Sequence, residues 1–206
     1  MRLTKKLCDE LKQAKGEICG AVLSTDMRYI LSHGTTSDLQ MIEGRLKALG
    51  CQFRYGNIKN TDWYSLGLRL ASFLLVIQHF NLDDKGIKQM GMYAPNVSPM
   101  LKLYIKYFGN INIFTKNMSA YWKKHYTVGK LELVEMNKKT GKIKVHIKGF
   151  YEPINNVNKE VARLYILKYL EGYFESVTKM LLGDIKGHMK EAIIDDKHVY
   201  EFITKF

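Results

Sequence analysis

The sequence has few of the residues that interrupt regular structure. Only three prolines occur among 206 residues, and no segment is of low complexity. Disordered segments are usually rich in proline and in polar repeats, so we expect ordered structure nearly from end to end. Hydrophobic residues make up 46% of the chain, which is enough to bury a substantial core. We predict a single domain over residues 1–206.

Cysteine is equally scarce. Cys8, Cys19 and Cys51 are odd in number and form no Cys-x-x-Cys pair, which argues against a disulfide framework and against a clustered zinc site. We therefore expect a reducing compartment. Cys51 follows a helix end and a glycine, and two interpretations stay open for it. It is either a reactive or acylated thiol, or an inert buried cysteine.

Long hydrophobic runs are absent as well. The longest apolar stretch, around Leu70 to Ile77, is much shorter than the roughly 20 residues that a membrane-spanning helix needs. The N-terminal segment MRLTKKLCDELKQAKG lacks the apolar centre of a signal peptide. These two observations predict a cytoplasmic protein.

The common catalytic signatures are missing too. The chain contains no HExxH, GxSxG, GxxxxGK[ST] or GxGxxG motif, so we expect no enzymatic activity. Its six histidines lack metal-site spacing, and we predict no metal and no cofactor. His79, near the end of a buried helix, is either a haem ligand or an ordinary helix-end histidine, and the second interpretation is favoured.

Positive charge is abundant, with a formal net charge of +12. Such a charge attracts anionic partners, and an anionic membrane surface stays open as one of them. However, only six of the 32 cationic residues are arginine, and the lysines are spread along the whole chain. Phosphate and base recognition favour the planar fork of arginine. We therefore interpret the lysines as a solvated surface and do not expect nucleic acid as a partner.

The first half of the chain has the periodicity of helices. Ser37 and Gln40 have the spacing of a capping box, and Gly50 follows the end of that predicted helix. The segment TDWYSLGLRLASFLLVIQHFN is apolar on nearly every side, which predicts a fully buried helix at the centre of the fold. A further helix is predicted to begin at Pro99, directly after a Ser98 cap.

After Gly129 the pattern changes from helical to alternating. KLELVEMNKKTGKIKVHIKGF predicts a hairpin with the turn NKKTG, one packed face and one solvated face. A long helix from about Asn158 to Leu182 follows, and GHMKEAIIDD and HVYEFITKF then predict a second hairpin. The order helices, hairpin, long helix, hairpin predicts an α+β fold with helices packed on an antiparallel four-stranded sheet.

Aromatic residues are concentrated on the helices. The long helix alone carries Tyr165, Tyr169, Tyr173 and Phe174. So many rings over a sheet form either a plain core or an apolar pocket in which tyrosine hydroxyls orient a ligand. The residues that we select for such a pocket are Trp63, Leu70, Phe73, Tyr169, Tyr173 and Phe174.

Two segments carry a family resemblance. LYILKYLEGYFESVTKMLLG, followed by a strand containing Lys-Glu and by HVYEFITKF, resembles the C-terminal core of the 4-vinyl-reductase domain family. WYSLGLRLASFLLVIQHF resembles the buried helix of that family. Its superfamily includes the TRAPP subunits of vesicle tethering, and haem-nitric-oxide-binding domains lie near it. The resemblance implies a 4-vinyl-reductase-like core over residues 51–206, preceded by a helical N-terminal extension over residues 1–50.

The resemblance implies a homodimeric sensory or regulatory domain that binds an apolar small molecule or a fatty acyl chain between helices and sheet. The alternative that it offers is a TRAPP-like scaffolding subunit that acts through a protein partner and membrane contacts. Sensory family members hold zinc with cysteines and a glutamate, but here only Glu191 matches, and a zinc site is not expected. The Tyr-x-Ser-x-Arg signature of the haem-binding domains is missing.

One position in the long helix is unusual for a helix interior. Gly172 costs the helix about 1 kcal/mol relative to alanine. Gly172 and Ser176 lie four residues apart, so they present two small side chains on one stripe. We expect this stripe to be the place where another backbone approaches closely, either that of the buried helix or that of a dimer mate.

Overall fold

A computed structural model describes residues 2–108, 111–137, 140 and 142–205. Its helices pack on a four-stranded antiparallel sheet, so the predicted α+β class and the predicted order of elements are confirmed. Within these ranges, no helix is both long enough and apolar enough to cross a bilayer.

The N-terminal part is a helical layer with one small two-stranded sheet, β1–β2, which the sequence did not predict. Its elements are α1 (Lys5–Leu11), β1 (Glu17–Cys19), α2 (Gly20–His33), α3 (Thr36–Ala48), a 3₁₀ turn (Tyr55–Asn57), β2 (Trp63–Ser65), α4 (Leu66–His79), α5 (Asp84–Val97), α6 (Pro99–Phe108) and α7 (Ile111–Lys123).

The C-terminal part contains the two hairpins and the helix between them. Its elements are β3 (Lys130–Asn137), β4 (Lys142–Lys148), α8 (Tyr151–Asn155), α9 (Lys159–Ala162), a π-helical segment (Arg163–Leu170), α10 (Glu171–Leu182), β5 (Lys186–Ile194) and β6 (Lys197–Lys205). We call the continuous run of residues 159–182 the long helix. The sequence predicted it as one regular α-helix, and the π-helical segment in its first half is a difference.

The sheet has the strand order β3-β4-β6-β5, with every neighbouring pair antiparallel. Both predicted hairpins are present. The turn predicted at NKKTG falls partly on residues 138, 139 and 141, which lie outside the described residues. On β4, the apolar side chains of Ile143, Val145 and Ile147 are buried. The opposite face is less solvated than the alternation predicted, because His146 is buried beside Glu201 of β6.

The N-terminal cap of α3 is Thr35, two residues before the predicted cap Ser37. The Thr35 hydroxyl accepts a hydrogen bond from the Asp38 N–H at 3.3 Å, and the Asp38 carboxylate accepts one from the Thr35 N–H at 2.7 Å. This reciprocal pair is the capping box, rather than Ser37 with Gln40. The predicted start of α6 at Pro99 is present, with a bond from the Leu101 N–H to the Ser98 hydroxyl.

Helix α4 is buried along nearly its whole length, as its apolar sequence predicts, yet it contains a charged residue. Arg69 is completely buried and forms an ion pair with Asp26 of α2, which is also buried. The Ser72 hydroxyl donates to the same Asp26 oxygen at 3.2 Å, and the Tyr55 hydroxyl contacts Ser72 at 2.5 Å. This chain of polar contacts joins α2, α4 and the 3₁₀ turn inside the core.

The guanidinium of Arg69 also lies between aromatic rings. Its central carbon is 5.0 Å from the ring centre of Tyr169, 5.2 Å from that of Tyr165 and 5.6 Å from that of Phe73. Ring faces attract a cation, more strongly where water is excluded. Arg69 therefore connects α4 to the π-helical segment, where Tyr165 and Tyr169 stack with their centres 5.3 Å apart.

Helices α5 and α10 cross with almost no space between their backbones. A Cβ atom on Gly172 would overlap the Lys88 carbonyl group of α5, and a Cβ atom on Gly91 would overlap the Tyr169 carbonyl group of the long helix. The two glycines therefore make the close approach possible from both sides. Ser176, one turn after Gly172, accepts a hydrogen bond from the Asn96 side chain at 3.2 Å. The neighbour of this stripe is α5, rather than the buried helix α4 or a dimer mate as we expected.

The same pair of helices covers the sheet edge formed by β5. Lys88 of α5 forms ion pairs with Glu171 at 2.8 Å and with Glu175 at 2.9 Å. The Glu171 carboxylate accepts from the Met189 N–H at 2.7 Å, and that of Glu175 accepts from the Gly187 N–H at 3.3 Å. Unpaired N–H groups of an edge strand would otherwise need water or another chain. Two carboxylates of α10 thus accept hydrogen bonds from two backbone N–H groups on the open edge of β5.

Replacing Gly172 by alanine tests the close helix crossing. We expect Gly172→Ala to lower the free energy of unfolding by about 1–3 kcal/mol, because the added methyl group meets backbone atoms that cannot rotate away. The measurement is urea denaturation followed by circular dichroism.

Gly44 in the middle of α3 provides the matched control, because a Cβ atom added there has no neighbour within 4 Å. Gly44→Ala should raise the stability by up to about 1 kcal/mol through helix propensity alone. A Gly172→Ala protein that is as stable as the wild type would contradict the close crossing.

A second substitution tests the buried ion pair. Arg69→Met removes the cation and leaves the Asp26 carboxylate buried without its partner, which we expect to cost about 3–5 kcal/mol at pH 8. The double variant Asp26→Asn/Arg69→Met removes both charges and should recover part of that loss. Urea denaturation of the wild type, of Arg69→Met, of Asp26→Asn and of the double variant gives the coupling free energy between the two side chains.

The effect of Arg69→Met should depend on pH. Burial raises the pKa of Asp26 from 3.8 to about 6, while Arg69 and the Ser72 hydroxyl act to lower it. The folded state therefore binds this proton more tightly than the unfolded state does. The stability that this proton confers is present below pH 3.8 and is lost as the pH rises through 6. Without Arg69 the pKa rises further, so Arg69→Met should be less destabilising at pH 5 than at pH 8. Equal losses at both pH values would refute this account.

Candidate functional site

A cavity of about 70 Å³ lies between the helical layer and the sheet. Helices α2, α5 and α7, the long helix and strands β3, β4 and β6 contribute its walls. Most of the lining is aliphatic or aromatic, and the rings come mainly from α7 and the long helix. We call it the tyrosine cavity, after four of its lining side chains: Tyr121, Tyr126, Tyr169 and Tyr173.

The rings around the tyrosine cavity hold one another in place. Trp122 stacks on Tyr126 with ring centres 4.3 Å apart, and its indole N–H donates to the Val128 carbonyl at 2.9 Å. The hydroxyls of Tyr121 and Tyr173 are 3.4 Å apart. Burial raises the pKa values of Tyr126, Tyr169 and Tyr173, so these hydroxyls stay protonated at neutral pH. The cavity therefore offers neutral donor groups.

The tyrosine cavity has one basic group among the described residues, His125, directly after α7. Its Nδ1 atom lies 3.0 Å from the Tyr121 carbonyl oxygen. A carbonyl oxygen only accepts hydrogen bonds, so Nδ1 must carry a proton. Burial lowers the pKa of His125, which keeps the ring neutral. In this tautomer Nε2 is an acceptor, and it makes no hydrogen bond to any described residue.

Side chains of the cavity wall connect the tyrosine cavity to the buried ion pair of Arg69 and Asp26. The Tyr126 hydroxyl, in the cavity wall, is 3.0 Å from that of Tyr165. The Tyr165 ring lies over Arg69, and so does the ring of Tyr169, which also lines the cavity. Side chains that line the cavity are therefore in contact with the charged centre of the helical layer.

The structure brings together half of the six residues selected for a pocket. Tyr169, Tyr173 and Phe174 line the tyrosine cavity. Leu70 and Phe73 are fully buried in α4 but do not line it, and Phe73 instead packs edge-to-face against Tyr165 and Tyr169. Trp63 lies in β2, is 42% exposed and also does not line the cavity.

The other candidate residues have structural partners. His79 Nε2 bonds to the Asp38 carboxylate at 2.7 Å, so this ring nitrogen is already engaged. The Cys51 sulfur lies against that of Cys8 in the protein interior. Glu191 is exposed on edge strand β5, directly opposite Tyr200 of β6.

Sequence reasoning missed the residues that give the site its polarity. His125 sits in WKKHYT, where neighbouring lysines suggest a solvated helix end, and nothing local indicates that its ring is buried. Arg69 did leave a signal, because a lone cation inside an apolar helix needs a buried partner. Its partner Asp26 lies 43 positions away, in a segment whose structure the sequence left ambiguous.

Comparisons with known proteins identify the fold. No protein-family model matches the chain, and no curated protein matches it. Solved H-NOX structures match nearly the whole chain. A double variant of the Tt H-NOX protein aligns with a TM-score of 0.63 and 13% identity, covering 92% of this chain and 95% of that one. An H-NOX protein from S. oneidensis in the Fe(II)NO state aligns with a TM-score of 0.60 and 9% identity, covering 90% and 98%.

These matches correct the family assignment. The assignment to the 4-vinyl-reductase family, with its TRAPP-like alternative, is wrong, because solved structures that align over about nine tenths of the chain are H-NOX domains. The matched proteins are described in terms of haem and a bound NO, not of lipid. The expected apolar or fatty acyl ligand is therefore wrong. The resemblance also implied a homodimer, a protein partner and a membrane contact. Without the family assignment, these expectations no longer have that support. At identities of 8–15%, what the chain shares with these proteins is the H-NOX fold.

Proposed function

We propose that this chain is a small-molecule-binding regulatory domain on the H-NOX fold, and that its ligand binds directly in the tyrosine cavity. The observation that carries the proposal is His125, a neutral imidazole whose Nε2 is left as an acceptor in the wall of an otherwise largely apolar cavity. H-NOX proteins are described through an Fe(II)NO state and through their activation, which supports a ligand-responsive role here.

Haem, the group that the fold implies, does not fit the described residues. Cofactor sites usually have volumes of about 300–1,000 Å³. The tyrosine cavity has about 70 Å³, because Tyr121, Trp122 and Phe174 project into the space between helices and sheet. The propionates of haem need cationic or strongly donating partners, and the described lining contains no lysine or arginine. We therefore assign no haem-dependent step to this chain.

The size of the cavity restricts the ligand. A 150 Å³ apolar cavity accommodates benzene, so a cavity of about 70 Å³ suits a molecule of only about three to five heavy atoms. An acyl chain is excluded by the same comparison. The aromatic walls favour a compact, largely apolar ligand, and the polar groups of the lining set the orientation of that ligand.

The hydrogen-bonding groups restrict the ligand further. An acceptor without a hydrogen-bond partner among the described residues favours a ligand that donates a hydrogen bond, because such a ligand pairs with Nε2. A charged ligand would find no counter-ion among the described lining residues. We therefore propose a small neutral donor, such as a short alcohol or amide, as the ligand class.

The proposed role is binding without turnover. Catalysis by His125 would require a nucleophile or an activated water at a defined position. Among the described residues, no serine, threonine or cysteine is hydrogen-bonded to its Nε2 atom. Burial raises the pKa values of the tyrosine hydroxyls, so they stay protonated at neutral pH and do not act as general bases. These features support a site that recognises its ligand without converting it.

A titration with two matched solvents tests the ligand class. 2-Propanol and acetone have the same number of heavy atoms, but only 2-propanol donates a hydrogen bond. In a Trp63→Phe background, Trp122 is the sole tryptophan, and its indole N–H resonance reports on the cavity. We expect a saturable shift of this resonance with 2-propanol, at an affinity about fivefold higher than for acetone.

The control compares two histidines. His125→Leu should abolish the preference for 2-propanol, whereas His188→Leu on β5, outside the cavity, should retain it. Shifts that do not saturate, or equal affinities for both solvents in the wild type, would overturn the proposed ligand class.

A second titration tests the exclusion of haem. Hemin added to the purified protein should form no stoichiometric complex with a histidine-ligated Soret band, because neither space nor propionate partners are available. The measurement is absorbance, with His125→Leu as the matched variant. A one-to-one complex in the wild type that is lost in His125→Leu would show that the cavity opens for haem and would overturn direct ligand binding.

A further inference from the structure

Two cysteines that lie far apart in the sequence meet in the core. Cys8 belongs to α1, and Cys51 follows α3, 43 positions later. Their sulfur atoms are 3.1 Å apart, and both side chains are buried. A disulfide bond joins sulfurs at about 2.05 Å, so the two atoms need to approach by only about 1 Å.

The surrounding contacts hold the two sulfurs together. The Cys51 N–H donates to the Leu46 carbonyl at 2.9 Å, which fixes the chain as it leaves α3. The Lys5 ammonium, on α1, donates to the Leu49 carbonyl at 3.3 Å. The remaining cysteine, Cys19, is engaged elsewhere, because its thiol donates to the Asn60 carbonyl at 2.7 Å. The pairing of Cys8 with Cys51 is therefore specific.

We propose that Cys8 and Cys51 form a modification site, at which exchange with a low-molecular-weight disulfide creates an intramolecular disulfide bond. The first protein thiolate attacks one sulfur of the small disulfide and releases one small thiol. The second protein thiolate then attacks the resulting mixed disulfide and releases the other. The two protein thiols lose two electrons and two protons, and the small disulfide gains them as two thiols.

The order of the two attacks follows from burial. Cys51 is 8% exposed, whereas Cys8 is completely buried, so Cys51 is the thiol that a small disulfide reaches first. Burial and the neighbouring Cys51 sulfur raise the pKa of Cys8 to about 12. Cys8 is thus a poor initial nucleophile. Once Cys51 is part of a mixed disulfide, its thiol no longer raises the pKa of Cys8, and Cys8 lies directly beside the bond that it then attacks.

The bond would fix the N-terminal helix in place. Helix α1 lies directly on the first turn of α4, where a Cβ atom on Gly67 would overlap the Leu11 carbonyl group. The closed loop contains all of α2 and α3, and α2 supplies Ala21, Val22 and Thr25 to the wall of the tyrosine cavity. A cross-link across such a loop stabilises the folded state mainly by restricting the unfolded chain.

Oxidised glutathione, added in excess to the fully reduced protein, tests the site. Intact mass spectrometry under denaturing conditions without reductant should show the loss of two hydrogen atoms. Alkylation should then count one free thiol, Cys19, in place of three. The melting temperature should rise by roughly 5–15 °C relative to the reduced protein.

Single variants separate the three cysteines. Cys8→Ser should accumulate one glutathionyl group on Cys51, because the resolving thiol is missing. Cys51→Ser should form no cross-link, and neither variant should gain thermal stability on oxidation. Cys19→Ser should behave as the wild type does. Three alkylatable thiols after oxidation of the wild type, or a cross-link that includes Cys19, would overturn the proposal.

Discussion

The buried ion pair between Arg69 and Asp26 is the constraint on which the helical layer depends. A guanidinium without water is tolerated only if a counter-charge and polarisable groups surround it. Asp26 of α2 supplies the charge, and the rings of Phe73, Tyr165 and Tyr169 supply ring faces at 5.0–5.6 Å. The position of α2 relative to α4, and of both relative to the long helix, is therefore fixed by one side chain. Of these three rings, that of Tyr169 also lines the tyrosine cavity.

The close crossing of α5 and the long helix at Gly91 and Gly172 positions another wall of the tyrosine cavity. Because Gly91 and Gly172 let α5 and α10 approach without intervening side chains, the long helix is held at a fixed distance from α5. Lys88, Glu171 and Glu175 then connect that pair of helices to the edge of the sheet. The cost of a helical glycine is offset by this packing, which places Tyr169 and Tyr173 over the sheet.

The sequence predicts those parts of the fold that depend on local periodicity. Alternation reveals both hairpins, the apolar run reveals α4, and the spacing of Gly172 and Ser176 led us to expect a closely approaching backbone. The π-helical segment was not predicted, and it carries Tyr165 and Tyr169, whose rings lie over Arg69. The short β1–β2 pair was missed for a similar reason. Three-residue strands carry almost no periodic signal, and their pairing joins segments more than 40 positions apart.

The site was harder to predict than the fold, because its chemistry arises from burial. Nothing in WKKHYT distinguishes His125 from a solvated histidine, and only the Tyr121 carbonyl in the structure fixes its tautomer. The family resemblance supplied the wrong ligand. The order of helices and hairpins did not discriminate between families, since it is compatible with more than one ligand chemistry.

Similarity to H-NOX domains constrains the backbone of this chain more strongly than it constrains the ligand. The space between helices and sheet is a consequence of the fold, but its volume is set by side chains. Here Tyr121, Trp122, Tyr173 and Phe174 leave about 70 Å³. A fold can therefore keep its architecture while the aromatic residues of one helix pair decide what size of molecule enters. In this chain, the acceptor that such a molecule would meet is the imidazole at the end of α7.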